Sequence, residues 1–263
     1  METVTSADGT TIAFERSGDG PPVILIGGAL GDRATAEPLA DLLAPRFSAI
    51  AYDRRGRGDS GDATPFSVDR ELDDIDALIG QAGGSACLFG HSSGAALAIR
   101  ATARGSGVAR LALYEPPFIV DDSRRPVAAE YADRLEELVA AGDRGDAVAY
   151  FMTEGPGVSD DVVEQMRSSP AWPAFEVLAH TLSYDARVME GTMSGQPLPA
   201  EWSGSITVPT LVMVGGASPP WQQTSVLTLV ELLPNAELRT LEGQEHGPPP
   251  ELVAPVLTEF FAS

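Results

Sequence analysis

The chain contains no lysine: all 17 of its basic residues are arginine, and 38 acidic residues give it a net charge of −21. The absence of lysine excludes Schiff-base catalysis and a P-loop phosphate site, since both need that side chain. A surface this acidic repels nucleic acid and anionic membranes, so neither is expected as a partner. The excess of carboxylates is typical of a solubilising surface.

Cysteine is nearly absent as well. Cys87 is the single cysteine, so no internal disulfide can form and a reducing cytoplasm is the expected location. The first residues lack the basic and apolar regions of a signal peptide, and no apolar run approaches the ~18 residues of a membrane span. No cluster of metal-ligand residues stands out, so we expect no metal or organic cofactor. A monomer or homodimer is expected.

Apolar runs of strand length alternate with helical patterns along most of the 263 residues. The predicted strands cover 22–28, 47–53, 86–92, 110–116 and 210–216, with a weaker one at 236–243. The predicted helices cover about 34–44, 68–80, 93–104, 221–232 and 250–261. This alternation is typical of an α/β fold with a mostly parallel sheet that is covered on both faces. Before it, Asp8-Gly9 predicts a hairpin turn.

The alternation is interrupted between about 119 and 200, where helical patterns follow one another without a convincing strand. We predict that 119–200 is a helical cap, inserted into a core formed by 1–118 and 201–263. Methionine and aromatic side chains in this stretch either form the cap's own core or face a cleft for an apolar ligand. As candidates for contact with a ligand we select Phe151, Trp172 and Phe175, together with Phe118 and His91 from the core.

The pattern Gly90-His91-Ser92-Ser93-Gly94 predicts a nucleophile elbow, because it follows a predicted strand and opens a helix of small residues. Ser92 is the candidate nucleophile, and the helix N-terminus beneath it favours developing negative charge. Ser93 is the rival hydroxyl, but it lies one residue beyond the apex. His91 lies inside the elbow and cannot reach Ser92 as a base, so we expect it to line the site.

These motifs resemble the α/β-hydrolase family over nearly the whole chain. The segment IGGAL (26–30) is similar to the family's His-Gly-x oxyanion loop, with Gly27 in place of the histidine. The match implies that the backbone N–H groups of Ala29 and Ser93 hold an oxyanion, and that Gly28 shapes the loop. The segment DRRGRGDS (53–60) resembles the family's D-x-R-G-x-G-x-S turn, and the helical insertion resembles its cap. Within the family, the elbow and the short cap look most like ester- and lactone-cleaving members such as zearalenone lactonases.

The catalytic base of this family is a histidine late in the chain. His246 follows the last predicted strand and precedes a helix that starts with proline, so it is the candidate. His180 lies in the predicted cap, where we interpret it as structural.

The family's usual place for the catalytic acid is the turn after 210–216, which here holds Ser218 and no carboxylate. Glu115 instead ends a predicted core strand, at the sheet edge that borders the active-site crevice; zearalenone lactonases and one subgroup of haloalkane dehalogenases take their acid from this strand end. Asp185 and Glu245 are less well placed alternatives. We expect a Glu115 oxygen within ~3.2 Å of His246 Nδ1, the other ring nitrogen towards Ser92, and little effect of Ser218→Ala.

The sequence therefore predicts a serine hydrolase with Ser92 as nucleophile, His246 as base and Glu115 as the residue that orients His246. An apolar small-molecule ester or lactone is the expected substrate, cleaved through an acyl-enzyme. The missing aspartate at the elbow argues against epoxide hydrolase and dehalogenase chemistry. Two alternatives stay open: an acyl transferase or cyclase on the same fold, and a ligand-binding protein without turnover.

Overall fold

The structure is a computed structural model that describes all 263 residues. Its framework is one sheet of eight strands in the order β1-β2-β4-β3-β5-β6-β7-β8. The strands are β1 (Glu2–Thr5), β2 (Thr11–Ser17), β3 (Pro22–Ile26), β4 (Ser48–Tyr52), β5 (Ala86–His91), β6 (Val108–Tyr114), β7 (Thr210–Gly215) and β8 (Ala236–Leu241). The pairs β1–β2 and β2–β4 are antiparallel and all other pairs are parallel. The predicted hairpin and the mostly parallel sheet are both confirmed.

Eleven α-helices and one short 3-10 helix (Ala179–Thr181) accompany the sheet. The α-helices are α1 (Arg33–Leu43), α2 (Val68–Gln81), α3 (Ser93–Arg104), α4 (Tyr131–Ala141), α5 (Arg144–Glu154), α6 (Asp160–Arg167), α7 (Trp172–Leu178), α8 (Leu182–Val188), α9 (Trp202–Ser205), α10 (Pro220–Leu232) and α11 (Pro250–Ala262). No helix of the structure is both long enough and apolar enough to cross a bilayer.

Helices cover both faces of the sheet, which explains why its central strands are continuously apolar. Successive side chains of a strand point to opposite faces. In β3, Ile24 and Ile26 enter the cluster that packs under α2, α3 and α10, whereas Val23 and Leu25 enter the cluster under α1 and α11. Every residue of such a strand is therefore buried.

The helices α4 to α9 all lie between β6 and β7, with no strand among them. A separate cluster of buried side chains, built mainly from α4, α5 and α8, forms the core of this cap. Tyr131, Leu135, Val148 and Leu182 belong to it, and none of them is more than 5% exposed. The cap is thus packed internally and leaves a space between itself and the carboxyl edge of the sheet.

Candidate active site

Backbone strain marks three places at the carboxyl edge of the sheet. Leu30, Ser92 and Glu115 are the only residues other than glycine with a positive φ, at 59°, 56° and 46°. They follow β3, β5 and β6, three strands that lie side by side. Side chains in this left-handed region cost energy, and such residues cluster at functional sites. The same edge, where the strand order reverses, is where open α/β sheets bind ligands.

Ser92 lies at the tight turn between β5 and α3, with φ 56° and ψ −125°. Close packing requires the glycine on each side of this turn. A Cβ atom on Gly90 would lie 2.5 Å from the Gly94 carbonyl oxygen, and one on Gly94 would lie 2.2 Å from the Ile26 carbonyl oxygen. The local geometry is that of the nucleophile elbow that the sequence predicts.

Ser92 borders a cavity of about 450 Å³ between the sheet edge and the cap. The cap contributes apolar side chains to its wall, namely Phe151, Met152, Val158, Met166, Met189 and Met193. The opposite wall carries the polar groups, including Ser92, Gln222 and His246. No arginine lines the cavity, and Glu245 is the single carboxylate that does. The cavity therefore suits an apolar molecule with one polar reacting group.

His246 and Glu115 meet at the edge of this cavity. Nδ1 of His246 lies 2.7 Å from Oε2 of Glu115, and the glutamate is completely buried while the imidazole is 42% exposed. The distance lies within the ~3.2 Å that we expected for this pair. A buried carboxylate in this position fixes the proton on Nδ1 and leaves Nε2 free to accept one.

The turn after β7 holds the other oxygen of Glu115. The N–H of Gly215 donates to Oε1 at 2.7 Å, and the Ser218 hydroxyl donates to the same oxygen at 2.5 Å. Burial raises the pKa of Glu115, but hydrogen bonds from His246, Ser218 and Gly215 outweigh it, so that the pKa lies below its ordinary value. The sequence alone predicts little effect of Ser218→Ala, but the structure gives its hydroxyl a charge-assisted bond to a buried carboxylate, so we now expect Ser218 to support Glu115.

Ser92 and His246 line the same cavity, but no hydrogen bond joins them. Nδ1 of His246 makes both side-chain contacts of the ring, with Glu115 and with Gln222, while Nε2 and the Ser92 hydroxyl have no hydrogen-bond partner within the chain. Hydrogen bonds between nucleophile and base are often loose in ligand-free enzymes and tighten in the substrate complex. The structure thus places Ser92 and His246 at one cavity, without a hydrogen bond between them.

Gln222 is a site residue that the sequence did not reveal. It lies near the start of α10, lines the cavity, and places its side-chain amide 2.8 Å from Nδ1 of His246. Gln222 is also buried. A glutamine near a helix start carries no catalytic signal by itself, so only its contact with His246 identifies it.

Two side chains brace the loop that carries His246. Nε2 of His91 donates to the His246 carbonyl at 2.8 Å, and the Tyr114 hydroxyl donates to the Glu245 carbonyl at 2.6 Å. Burial lowers the pKa of His91 to about 4, and the nearby His246 lowers it as well, so the ring is neutral near pH 7. His91 lines the cavity as expected and acts on the loop of His246 through a hydrogen bond.

Two backbone N–H groups at the cavity have no partner within the chain. They belong to Ala29, after β3, and to Ser93, the first residue of α3. Between them Gly28 approaches the nucleophile so closely that a Cβ atom there would lie 3.0 Å from Ser92 Cβ. Unpaired donors on two sides of a nucleophile can hold a developing oxyanion.

Three of the five side chains selected for ligand contact lie elsewhere. Phe151 and His91 line the cavity, but Phe118, Trp172 and Phe175 do not. Phe118 is completely buried in the core, where its ring packs against Trp202 at 5.7 Å. Trp172 and Phe175 pack edge to face at 6.2 Å within the cap's own cluster. The structure therefore does not place these three rings at the cavity: Phe118 belongs to the core around the sheet, and Trp172 and Phe175 belong to the apolar cluster of the cap.

His180 and Asp185, the less favoured candidates for base and acid, contact other groups. His180 contacts the carbonyl oxygens of Val177 and Gly56. Asp185 is completely buried and pairs with Arg54 and Arg57, so it is not available to His246. No group of three or more histidine, cysteine or acidic side chains converges in the way that metal ligands do.

Comparison with known proteins identifies the family. Residues 10–255 match the profile described as the alpha/beta hydrolase family. The chain is 27% identical to a 2-(acetamidomethylene)succinate hydrolase from Mesorhizobium japonicum, over 95% of this chain and 91% of that protein. It is 28% identical to a non-heme chloroperoxidase from Kitasatospora aureofaciens, over 94% and 92% of the two chains. A solved alpha/beta hydrolase from Sphaerobacter thermophilus is 55% identical and superimposes with a TM-score of 0.92, over 99% of this chain and 100% of the other. With a match over almost its entire length, the chain belongs to the alpha/beta hydrolase family.

Proposed function

We propose that this protein is a serine hydrolase that cleaves an ester or lactone of an apolar small molecule through an acyl-enzyme. The observation that carries the proposal is the 2.7 Å contact between Glu115 and His246 at the cavity that Ser92 borders. A nucleophile on a strained elbow, a histidine oriented by a buried carboxylate, and two free N–H donors are the parts that acyl transfer needs.

Acylation starts when the Ser92 hydroxyl attacks the substrate carbonyl carbon and passes its proton to Nε2 of His246. The negative charge on the carbonyl oxygen is held by the N–H groups of Ala29 and Ser93. The carbon–oxygen bond to the leaving group then breaks, and His246 returns the proton to the departing alkoxide. An alcohol leaves, or stays tethered when the substrate is a lactone, and the acyl group remains on Ser92.

Deacylation repeats the sequence with water. His246 takes a proton from water as its oxygen attacks the acyl carbonyl, and the same two N–H groups hold the oxyanion. Collapse of this intermediate breaks the bond to Ser92, which recovers its proton from His246, and releases the carboxylic acid. Glu115 stays ionised throughout and stabilises the positive charge on His246.

The cavity wall supports an uncharged substrate. Apolar side chains supply most of the lining, and four of them are methionines, which adapt to irregular ligands. The relative from Mesorhizobium is named for a succinate derivative, which carries two carboxylates. Here no arginine lines the cavity and Glu245 adds a negative charge, so a dianion is disfavoured.

Labelling with a fluorophosphonate, followed by hydrolysis of a panel of neutral aryl esters, macrolactones and succinate half-esters, tests the proposal. We expect one label per chain, on Ser92, and turnover of the neutral substrates in preference to the anionic ones. Ser92→Ala should abolish labelling and lower turnover by about 10³–10⁶-fold. Undiminished labelling in Ser92→Ala, or turnover that survives it, would overturn the proposal.

A further inference from the structure

A network of four buried charges lies directly behind the proposed oxyanion hole. Arg54 pairs with Glu71 at 2.6 Å and with Asp185 at 2.6 Å, and Arg57 pairs with the second oxygen of Asp185 at 2.6 Å. All four side chains are at most 2% exposed. Two positive and two negative charges cancel, which makes burial of the set tolerable. No step of the hydrolysis described above uses any of them.

Arg57 extends from this network to the oxyanion loop. Its Nη1 donates to the Gly28 carbonyl at 2.6 Å and to the Gly31 carbonyl at 3.1 Å, while Nη1 of Arg54 lies 3.3 Å from the Gly27 carbonyl. The Gly28 carbonyl and the Ala29 N–H belong to one planar trans peptide, so they point in opposite directions. By holding the carbonyl, Arg57 fixes the direction of the N–H on the cavity side.

Asp185 connects the same network to the second donor. The Ser93 hydroxyl donates to Oδ1 of Asp185 at 2.7 Å, and the N–H of Ser93 is the other proposed oxyanion donor. Burial raises the pKa of Asp185, but the charges of Arg57 and Arg54 outweigh it and hold the pKa below its ordinary value. Asp185 lies on α8 in the cap. This one ionised residue is therefore linked to the Ala29 donor through Arg57 and to the Ser93 donor through the Ser93 hydroxyl.

We propose that Arg57 and Asp185 are positioning residues of the oxyanion hole, through which the cap sets the alignment of the Ala29 and Ser93 N–H donors. The inference rests on the proposed function, because it concerns the transition state of acyl transfer. Arg57 also polarises the peptide it holds, since a positive charge on the carbonyl oxygen makes the N–H a stronger donor. The turn 53–60 between β4 and α2 thus contributes, through Arg57, to the alignment of the oxyanion hole.

The chain offers a matched control for the loss of a buried ion pair. Arg55 makes two hydrogen bonds to Asp74, at 2.8 and 2.7 Å, and both side chains are completely buried. The hydrogen bonds of Arg55 go to Asp74, Asp8 and the Arg70 carbonyl, and none goes to the oxyanion loop or the cap. If Arg57 and Asp185 have only a structural role, disruption of either ion pair should lower turnover by a similar factor. If they position the oxyanion hole, disruption of their pair should lower turnover more than disruption of the Arg55–Asp74 pair.

The test compares Arg57→Met with Arg55→Met, and Asp185→Asn with Asp74→Asn, each checked for folding by circular dichroism and melting temperature. Hydrolysis of 4-nitrophenyl butyrate gives kcat and KM. The affinity of an aryl trifluoromethyl ketone, whose adduct with serine carries an oxyanion, is compared with that of the corresponding methyl ketone. We expect Arg57→Met and Asp185→Asn to lower kcat about 10- to 100-fold and to change KM less than about threefold. The two variants should bind the trifluoromethyl ketone more weakly, by a factor similar to that in kcat, and should bind the methyl ketone as before. The Arg55 and Asp74 variants should keep kcat within about threefold of the unmodified protein, although their melting temperatures fall as much as those of the Arg57 and Asp185 variants.

Equal losses of kcat in both pairs, or unchanged binding of the trifluoromethyl ketone in Arg57→Met, would overturn the inference and leave the proposed function intact. If the methionine variant does not fold, Arg57→Lys and Arg55→Lys replace the pair. Lysine keeps the positive charge but lacks the several fixed N–H donors of the guanidinium group. Arg57→Lys should therefore lower kcat by about 3- to 10-fold, whereas Arg55→Lys should not lower it. Absence of fluorophosphonate label on Ser92 in the unmodified protein would instead overturn the proposed function, and this inference with it.

Discussion

Ser218 and Glu115 lie 103 positions apart in the sequence, yet the hydroxyl of one donates to the carboxylate of the other at 2.5 Å. The turn after β7, which holds no carboxylate, thus supplies donors to a glutamate that comes from β6. The N–H of Gly215 in the same turn binds the same oxygen at 2.7 Å. Strand β7 therefore still takes part in holding His246, although it does so through hydrogen bonds to Glu115.

We expect Ser218→Ala to lower both stability and activity. Loss of a hydrogen bond to a buried charged group costs about 1.5–3 kcal/mol of unfolding free energy. The pKa of Glu115 should rise, because one of the donors that lower it is gone. Urea unfolding and kcat on an aryl ester measure the two effects, and we expect about a 3- to 10-fold loss of kcat. Ser203→Ala is the control, since its hydroxyl bonds an exposed carbonyl of its own helix turn. Equal behaviour of the two variants would show that the Ser218 contact does not support Glu115.

The contrast between Ser92 and Ser218 shows what the sequence could and could not predict. The elbow at Ser92 is a local feature: glycines two residues away on each side permit the close packing, so a five-residue pattern describes it. The contacts of Ser218 and Gln222 depend on which strand ends come together, and their neighbours in the sequence give no sign of it. Glu115 could be predicted because it ends a recognisable buried strand whose carboxyl end lies at the ligand-binding edge of the sheet.

The cap shows a second limit. Phe151 on α5 and Trp172 on α7 both belong to the buried cluster of the cap, yet only Phe151 also lines the cavity. Periodicity indicates that a face is buried, but it does not distinguish burial against other helices from burial against a ligand. That distinction depends on how the helices pack.

Glu115→Gln should keep the fold and lower kcat by about 10²–10⁴-fold. An amide can donate a hydrogen bond to Nδ1 of His246 and so stabilise the wrong tautomer, with the proton on Nε2. The amide also cannot stabilise a charged imidazolium. Steady-state kinetics on an aryl ester and a circular dichroism spectrum make the measurement. Glu245→Gln tests the rival acid, and a greater loss of kcat there than in Glu115→Gln would contradict the assignment.

His91 should make the protein less stable in mild acid. Burial lowers the pKa of His91 to about 4 from an ordinary value of 6.5, so between these pH values the unfolded chain binds a proton that the folded chain does not. Stability from this residue is complete above pH 6.5 and is lost as the pH falls towards 4, by on the order of 1.4 kcal/mol per pH unit. Denaturant unfolding at several pH values should show a smaller decline in His91→Gln, which cannot titrate. A parallel decline in the two proteins would contradict this linkage.

Replacement of Phe151 by alanine should change substrate selectivity, whereas replacement of Trp172 should not. Phe151 lines the cavity beside Ser92, so Phe151→Ala enlarges the space for the acyl group and should favour bulky esters over short ones. Trp172 lies in the cap core and donates from Nε1 to Glu176 at 2.9 Å, so Trp172→Ala should cost about 3–5 kcal/mol of stability and leave the ratio of rates on short and bulky esters unchanged. Ratios of kcat/KM for 4-nitrophenyl acetate and octanoate, measured together with melting temperatures, distinguish the two roles. A shift in that ratio in Trp172→Ala as large as in Phe151→Ala would mean that the cap core also determines substrate size.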